Sequence, residues 1–311
     1  MQRRKFIKET TFAGGALLAS SLLPLNSFCV PANDVKNITI LHTNDVHSRL
    51  EPFSQEDNKN AGLGGVAARA ALINDIRAEV EHVLLLDAGD FFQGTPYFNL
   101  YKGEPEIKAM NLMGYNAATL GEHDFEAGMD NLANQISKAT FPIVICNYNF
   151  TNTPMEGKAV PYTIIKKGNI KIGILGVGID NKGLIPDELF KNAKYNNPIE
   201  SANTVADILK KENCDMIICL SHLGDRYNDD TLSDEILAKE NYHIDLIIGG
   251  HTHKFFKEPK KYFNRNGNNT LVNQAGWAGM QLGRLDYSLS RTKNKNTTKS
   301  QTIVIRKKNA E

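Results

Sequence analysis

Ile38-Thr39-Ile40-Leu41 runs into His42-Thr43-Asn44-Asp45-Val46-His47, and Ile244-Asp245-Leu246-Ile247-Ile248 runs into Gly249-Gly250-His251-Thr252-His253. Each is an apolar run of strand length that gives way at once to small and polar residues, the pattern of a buried strand ending in a turn. Each also sets two metal-binding side chains at i and i+2 just past the strand: Asp45 with His47, and His251 with His253. Beyond a strand end the chain turns, so residues i and i+2 can both point into one crevice. Carboxylate and imidazole together suit borderline cations such as zinc, manganese and iron.

Three more runs between these two end the same way. They are Val83-Leu84-Leu85-Leu86-Asp87-Ala88-Gly89-Asp90, Ala117-Ala118-Thr119-Leu120-Gly121-Glu122-His123-Asp124 and Met216-Ile217-Ile218-Cys219-Leu220-Ser221-His222. Ligands that collect at the carboxyl ends of strands are the rule for open α/β sheets. Asp and His are also ordinary turn and cap residues, which suffices for any one of these sites. It does not suffice for five in a row whose candidate site residues include five of the chain's eight histidines.

The stretches between are helical in period or read as further strands. Residues 62–80 put Ala, Leu and Ile on one face and Arg69, Asn74, Arg77 and Glu79 on the other; 104–113, 126–138 and 201–212 are also helical, the last opened by Ser201 as a cap. Residues 141–146, 162–167 and 170–177 read as strands, with a hairpin turn at Lys167-Gly168-Asn169. Asn266-Gly267-Asn268-Asn269 is a turn, and 271–274 and 282–289 close the sheet. The class is α/β. Gly62-Leu63-Gly64-Gly65 lacks the Lys and Ser/Thr of a phosphate loop and reads as a helix entry.

Composition removes one class of function. Of 311 residues, 36 are Lys or Arg and 35 are Asp or Glu, so no global field draws nucleic acid. Basic residues cluster in 254–265 and 293–308 with few aromatics between them, as in solvated loop and tail. Arg3-Arg4-Lys5-Phe6-Ile7-Lys8 precedes the apolar stretch 12–25, the layout of a twin-arginine secretory signal. That stretch is short for a membrane span and rich in Gly, Ala and Ser, so the mature chain is expected to have none. Val30-Pro31-Ala32 offers a cleavage site, dividing the chain into a signal (1–32) and one domain (33–311) in the periplasm or otherwise exported. Cys29 raises the alternative of a lipoprotein, though Phe28 before it fits that signal poorly. Cys146, Cys214 and Cys219 then remain, an odd number that argues against a disulfide framework, and each lies in or beside an apolar run as a buried thiol.

Leu41-His42-Thr43-Asn44-Asp45-Val46-His47, Asp87-Ala88-Gly89-Asp90, Ser221-His222-Leu223-Gly224 and Gly250-His251-Thr252-His253 resemble, in combination, the calcineurin-like metallophosphatase domain of the 5′-nucleotidase family. The resemblance covers about residues 37–290. It implies a four-layer sandwich with two central mixed sheets flanked by helices, and a dinuclear site at their edge holding two divalent metal ions, zinc or manganese. Carried over by motif, Asp45, His47 and His253 hold the first metal, Asp90 bridges, and His222, His251 and the residue at 122 hold the second. His42 is read as a packing residue, and His82 and His243 as surface residues.

The departure is at that position. The family text is Gly-Asn-His-Glu-Phe-Asp; this chain has Gly121-Glu122-His123-Asp124-Phe125-Glu126. A third carboxylate joins Asp45 and Asp90, which should tighten metal binding and make a water bridging the metals less acidic. The resemblance implies that a hydroxide bridging the metals attacks phosphorus while His123 protonates the leaving alkoxide. Glu126, at the start of a helix near Phe125, would fix the ring of His123, and Asn147 matches a position near the substrate phosphate. Full-length members carry a second, nucleoside-gripping domain, expected here to be absent after Glu311. The substrate is then a small phosphoester or nucleotide, with a separate C-terminal nucleotidase-domain protein as a possible partner. Two alternatives stay open: a catalytically weakened metal-binding subunit for such a partner, and a sulfur-oxidation hydrolase of the same superfamily.

Overall fold

The apolar runs become the central strands of two sheets. The computed structural model describes residues 35–190, 192–290 and 296–306; the expected signal, with Cys29 and the cleavage site, lies outside them. Seven strands form the first sheet, in the order Asn296–Val304, Gln281–Ser290, Val35–Thr43, Val83–Asp87, Ala117–Ala118, Ile143–Val144 and Ala159–Val160. Six form the second: Lys260–Phe263, Asn269–Asn273, Leu246–Gly249, Met216–Ser221, Ile170–Val177 and Tyr162–Lys167. The pairs nearest the metal-binding motifs are parallel, and antiparallel strands close three of the four edges, so both sheets are mixed.

Parallel strands covered on both faces need apolar residues at every position. Val83–Asp87 and Met216–Ser221 are accordingly buried along their whole length. Alternate side chains go to opposite faces. Ile38, Ile40, Leu84 and Leu86 of the first sheet meet Ile172, Ile174, Ile218 and Ile248 of the second in one layer. Leu41 and Leu85 face the other way, onto Ile73, Ile76 and Met110 of the helices Val66–Glu79 and Glu104–Met113. Ile217, Cys219 and Ile247 face Ala202, Val205 and Leu209 of the helix Pro198–Lys211. The layers run helix, sheet, sheet, helix, the four-layer sandwich. No helix among the described residues is long and apolar enough to cross a membrane.

His42 lies within this packing, fully buried, its Nε2 accepting from Asn273 Nδ2 at 2.8 Å. Burial pushes its pKa down to about 3. His82 and His243 are part-exposed, and His243 faces Asp207 at 3.3 Å. Cys214 and Cys219 are buried, Cys146 is half-buried, and none of the three is joined in a disulfide among the described residues.

Several local expectations give way to the structure. The helix expected over 62–80 starts at Val66, because Gly62, Gly64 and Gly65 take φ of 68°, 78° and 88°, and Gly64 bridges Pro52 instead. Arg69, expected on the solvent face, is 3 % exposed, drawn in beside the buried Asp87 and Tyr115. The helix expected from 126 starts at Met129: Glu122–Phe125 is a separate 3-10 turn, and Gly128 at φ 83° breaks the chain before the helix. Glu126 therefore closes a turn rather than opening a helix. Asn197, not Ser201, caps the next helix; its side chain accepts the Ile199 and Glu200 amides, with Pro198 in the first turn. The strand expected over 141–146 shrinks to Ile143–Val144, because the Cys146 amide turns to Gly176 of the other sheet at 2.8 Å. The basic tail contributes a further strand, Asn296–Val304, at a sheet edge where lysine is well tolerated.

Candidate metal centre

Five strand ends converge on one crevice. Past Val35–Thr43 and Val83–Asp87 the two loops stay zipped together: the amides of Asp45, His47 and Ser48 donate to the carbonyls of Gly89, Asp90 and Phe91 at 2.9, 2.9 and 3.0 Å. Asp45, His47, Asp90, His251 and His253 all stand at positive φ, 50°, 50°, 57°, 66° and 53°. Non-glycine residues rarely adopt this left-handed backbone, and functional sites are where they persist. Here it aims both members of each i, i+2 pair inward. Gly121 makes room for the convergence: a Cβ there would stand 2.1 Å from Asp90 Oδ1 and 2.4 Å from His222 Nε2.

The donors fall into overlapping groups whose ligand atoms lie within 4.8 Å of one another: Asp45, His47 and His253; Glu122, His222 and His251; Asp45, Asp90 and His222; Asp90, Glu122 and His123. In the first, His47 Nε2 and His253 Nε2 are 3.0 Å apart, and His253 Nε2 is 3.3 Å from Asp45 Oδ1. In the second, Glu122 lies 2.7 Å from His251 Nδ1 and 3.3 Å from His222 Nε2. Asp90 Oδ2 lies between them, 3.0 Å from His222 Nε2 and 4.0 Å from His47 Nε2.

These donors fit metal cations. His222 Nδ1 donates to the Ala88 carbonyl at 2.6 Å, which turns Nε2 into the crevice. His222 Nε2, Asp90 Oδ2 and Glu122 Oε2 are buried without a hydrogen-bond partner. Three buried carboxylates facing one another repel unless positive charge stands between them. The imidazoles supply some of it. Burial lowers His222, but Asp90 and Glu122 outweigh burial and hold it well above the ordinary imidazole range. Burial raises Glu122, but His222 and His251 outweigh it and hold the carboxyl below its usual range. Divalent cations would replace those protons, the usual coupling of metal binding to proton release.

Further polar contacts border these donors. His123 Nδ1 lies 2.5 Å from Glu126 Oε1, so the two expected partners do meet. Asn147 is fully buried; its Nδ2 donates to the Gly178 carbonyl and its Oδ1 accepts the Gly178 amide, both at 2.8 Å. The sequence reading missed Asp124. It is buried, and its two oxygens accept the amides of Asp90, Phe92 and Gly121 at 3.0, 3.0 and 2.9 Å, tying two ligand loops together. It missed Asn44 too, which donates to Asp45 Oδ2 and accepts the Ala275 amide. The one signal for either was position, next to a ligand in each motif. A cavity of about 260 Å³ opens beside His47, His123 and His253, walled by Arg49, Gln93 and Trp277.

A model of the calcineurin-like phosphoesterase family matches residues 38–255. The chain belongs to that family. The chain is 36 % identical to the 5′-nucleotidase of Bos taurus over 245 residues, which are 76 % of this chain and 42 % of that one. Its fold matches the 5′-nucleotidase precursor of Thermus thermophilus with a TM-score of 0.77 at 30 % identity, covering 87 % of this chain and 55 % of the other. A sulfate thiohydrolase, SoxB, shares the fold at a TM-score of 0.70 and 19 % identity, covering 86 % of this chain and 56 % of that one. The chain spans less than half the length of the curated 5′-nucleotidases it matches.

Proposed function

We propose that this chain is an exported phosphoesterase that hydrolyses phosphate monoesters, 5′-nucleotides foremost, at a centre of two divalent cations, zinc or manganese. The observation that carries the reading is the set of overlapping donor groups joined through Asp90, beside the His123–Glu126 pair. Asp45, His47 and His253 would hold one cation, Glu122, His222 and His251 would hold the other, and Asp90 would serve both. When bound, two such cations clamp a phosphoryl group, acidify water and offset the charge of an in-line displacement.

The protein's own groups do the rest. Burial lowers the His123 imidazole, but Asp90, Glu126 and Glu122 outweigh it, so the ring stays protonated further toward neutral pH than free imidazole. Nδ1 donates to Glu126, which fixes the ring, and Nε2 is left to pass a proton to the leaving alkoxide. Asn147 keeps one amide proton for the substrate side while its other contacts hold Gly178. Nucleoside recognition is left to a further domain, on a longer chain or a separate protein. Export uses a twin-arginine signal in 1–32, with the domain at 33–311; a lipid anchor on Cys29 ranks second.

One observation favours a second reading. Glu122 already stands 2.7 Å from the His251 imidazole and 3.3 Å from that of His222, so protons on those rings would hold the second half of the site in place of a cation. The chain would then be a weakened metal-binding subunit. The sulfur-oxidation alternative rests on the shared fold alone. Elemental analysis of protein kept from chelators, with a phosphate-release screen over 5′-nucleotides and simple monoesters, separates these. About two metals per chain with phosphate release is the expected result. Two metals without release favours the weakened subunit, and a stoichiometry near zero or one sinks the dinuclear reading.

A further inference from the structure

We propose that Arg49 is a substrate-anion donor of this site, and that it makes the centre a receptor for phosphate-monoester dianions. The inference rests on the dinuclear reading above. Arg49 lies two residues beyond His47, after a turn closed by its own amide on the Val46 carbonyl at 3.1 Å. Its guanidinium carbon stands 4.2 Å over the centre of the Phe53 ring. Phe53 in turn meets Trp277 edge-on at 5.9 Å, and Trp277 stacks on His253 at 5.8 Å with 7° between the planes. The guanidinium is thus fixed to a wall that ends on a metal-binding imidazole.

Stacking uses the face of a guanidinium and leaves its in-plane N–H fork free. Among the described residues no hydrogen bond or close ion pair takes up that fork, and Arg49 Nε is buried without a partner. Asp57 acts on it only through space, and the Asp57 Oδ1 already accepts the Lys59 and Asn60 amides. Arg49 lines the same cavity as His47, His123 and His253, and among the described residues that line it Arg49 is the one permanent cation. A planar fork without a partner, beside the acid and two ligands of a phosphoryl site, matches the geometry by which arginine takes a phosphate.

Charge points the same way. Two divalent cations bring four positive charges to Asp45, Asp90 and Glu122, whose carboxylates cancel three. A monoester dianion brings two negative charges more. The carboxylate at position 122 thus leaves the centre one positive charge poorer toward the dianion than an asparagine would, and the Arg49 guanidinium restores one.

The test is the affinity of the metal-loaded protein for inorganic phosphate, measured by titration calorimetry at fixed ionic strength, with metal content measured alongside. Arg49→Gln should keep its metals and bind phosphate at least tenfold more weakly. Arg49→Lys, which retains the charge without the fork, should fall between the two. Phosphate affinity in Arg49→Gln within twofold of wild type would overturn the proposal. Should Arg49→Gln lose metal, Arg49→Lys decides: fully loaded and several-fold weaker supports the proposal, fully loaded and unchanged overturns it. Loss of metal from both overturns it, because Arg49 would then serve the centre rather than the anion. The outcome is separable from the function itself. A wild type that binds phosphate but hydrolyses nothing sinks the phosphoesterase reading and leaves Arg49 to its own affinities, while a wild type that binds no phosphate overturns both.

Discussion

Asp45, His47, Asp90, His251 and His253 carry their side chains on left-handed backbone, which costs of order 1–3 kcal/mol per residue. Their residue types were legible in the sequence, since carboxylate and imidazole at strand ends have few better uses. Their inward aim was not, because φ at a single position is set by the loops it is zipped to. Glu122 is the residue where the site departs most from its family text, and two substitutions separate its role from that of its neighbour. Glu122→Asn should retain metal; with one negative charge gone, the stronger positive field should move the rising limb of the pH–rate profile to lower pH. Unchanged metal content with an unmoved profile would mean that Glu122 plays no part in the centre. His123→Ala should also keep its metal but slow turnover by roughly 10²–10⁴-fold, the range for a lost general acid. Metal analysis beside steady-state kinetics reads both.

At the scale of elements, the long apolar runs of the central strands were legible because parallel strands buried on both faces leave no polar position to confuse the pattern. Helix starts were less so. The glycines before Val66 and Met129 break the periodicity at the backbone, and Asn197-Pro198 was the better cap signal than Ser201. His42 shows how an element can carry a pH response. Its pKa falls from an ordinary 6.5 unfolded to about 3 folded, because burial disfavours the charged ring. Between those values the unfolded chain binds the extra proton, so this contribution to stability is full above pH 6.5 and is lost as pH falls toward 3. His42→Leu lacks that titration. Denaturant unfolding of both proteins across this range should show wild type losing stability toward acid faster than the variant, while parallel curves would mean that His42 stays neutral in both states.

For the whole molecule, the centre is a seam between two sheets. Loops of the first bring Asp45, His47, Asp90 and Glu122, and loops of the second bring His222, His251 and His253. Removing cations should therefore weaken the sandwich as well as the chemistry. Chelator-treated protein is expected to melt several degrees lower than loaded protein, and added zinc or manganese should restore the melting temperature. Equal melting temperatures would mean that the imidazoles already balance the three buried carboxylates. By itself the sequence determined the α/β class, the buried strands and the identities of the donors, because hydrophobic period and ligand chemistry are local properties. Tertiary structure alone decided that Arg69 turns inward and that Asp124 gathers amides from a loop more than thirty residues away. Partners distant in the chain set those positions, and no window along the sequence contains them.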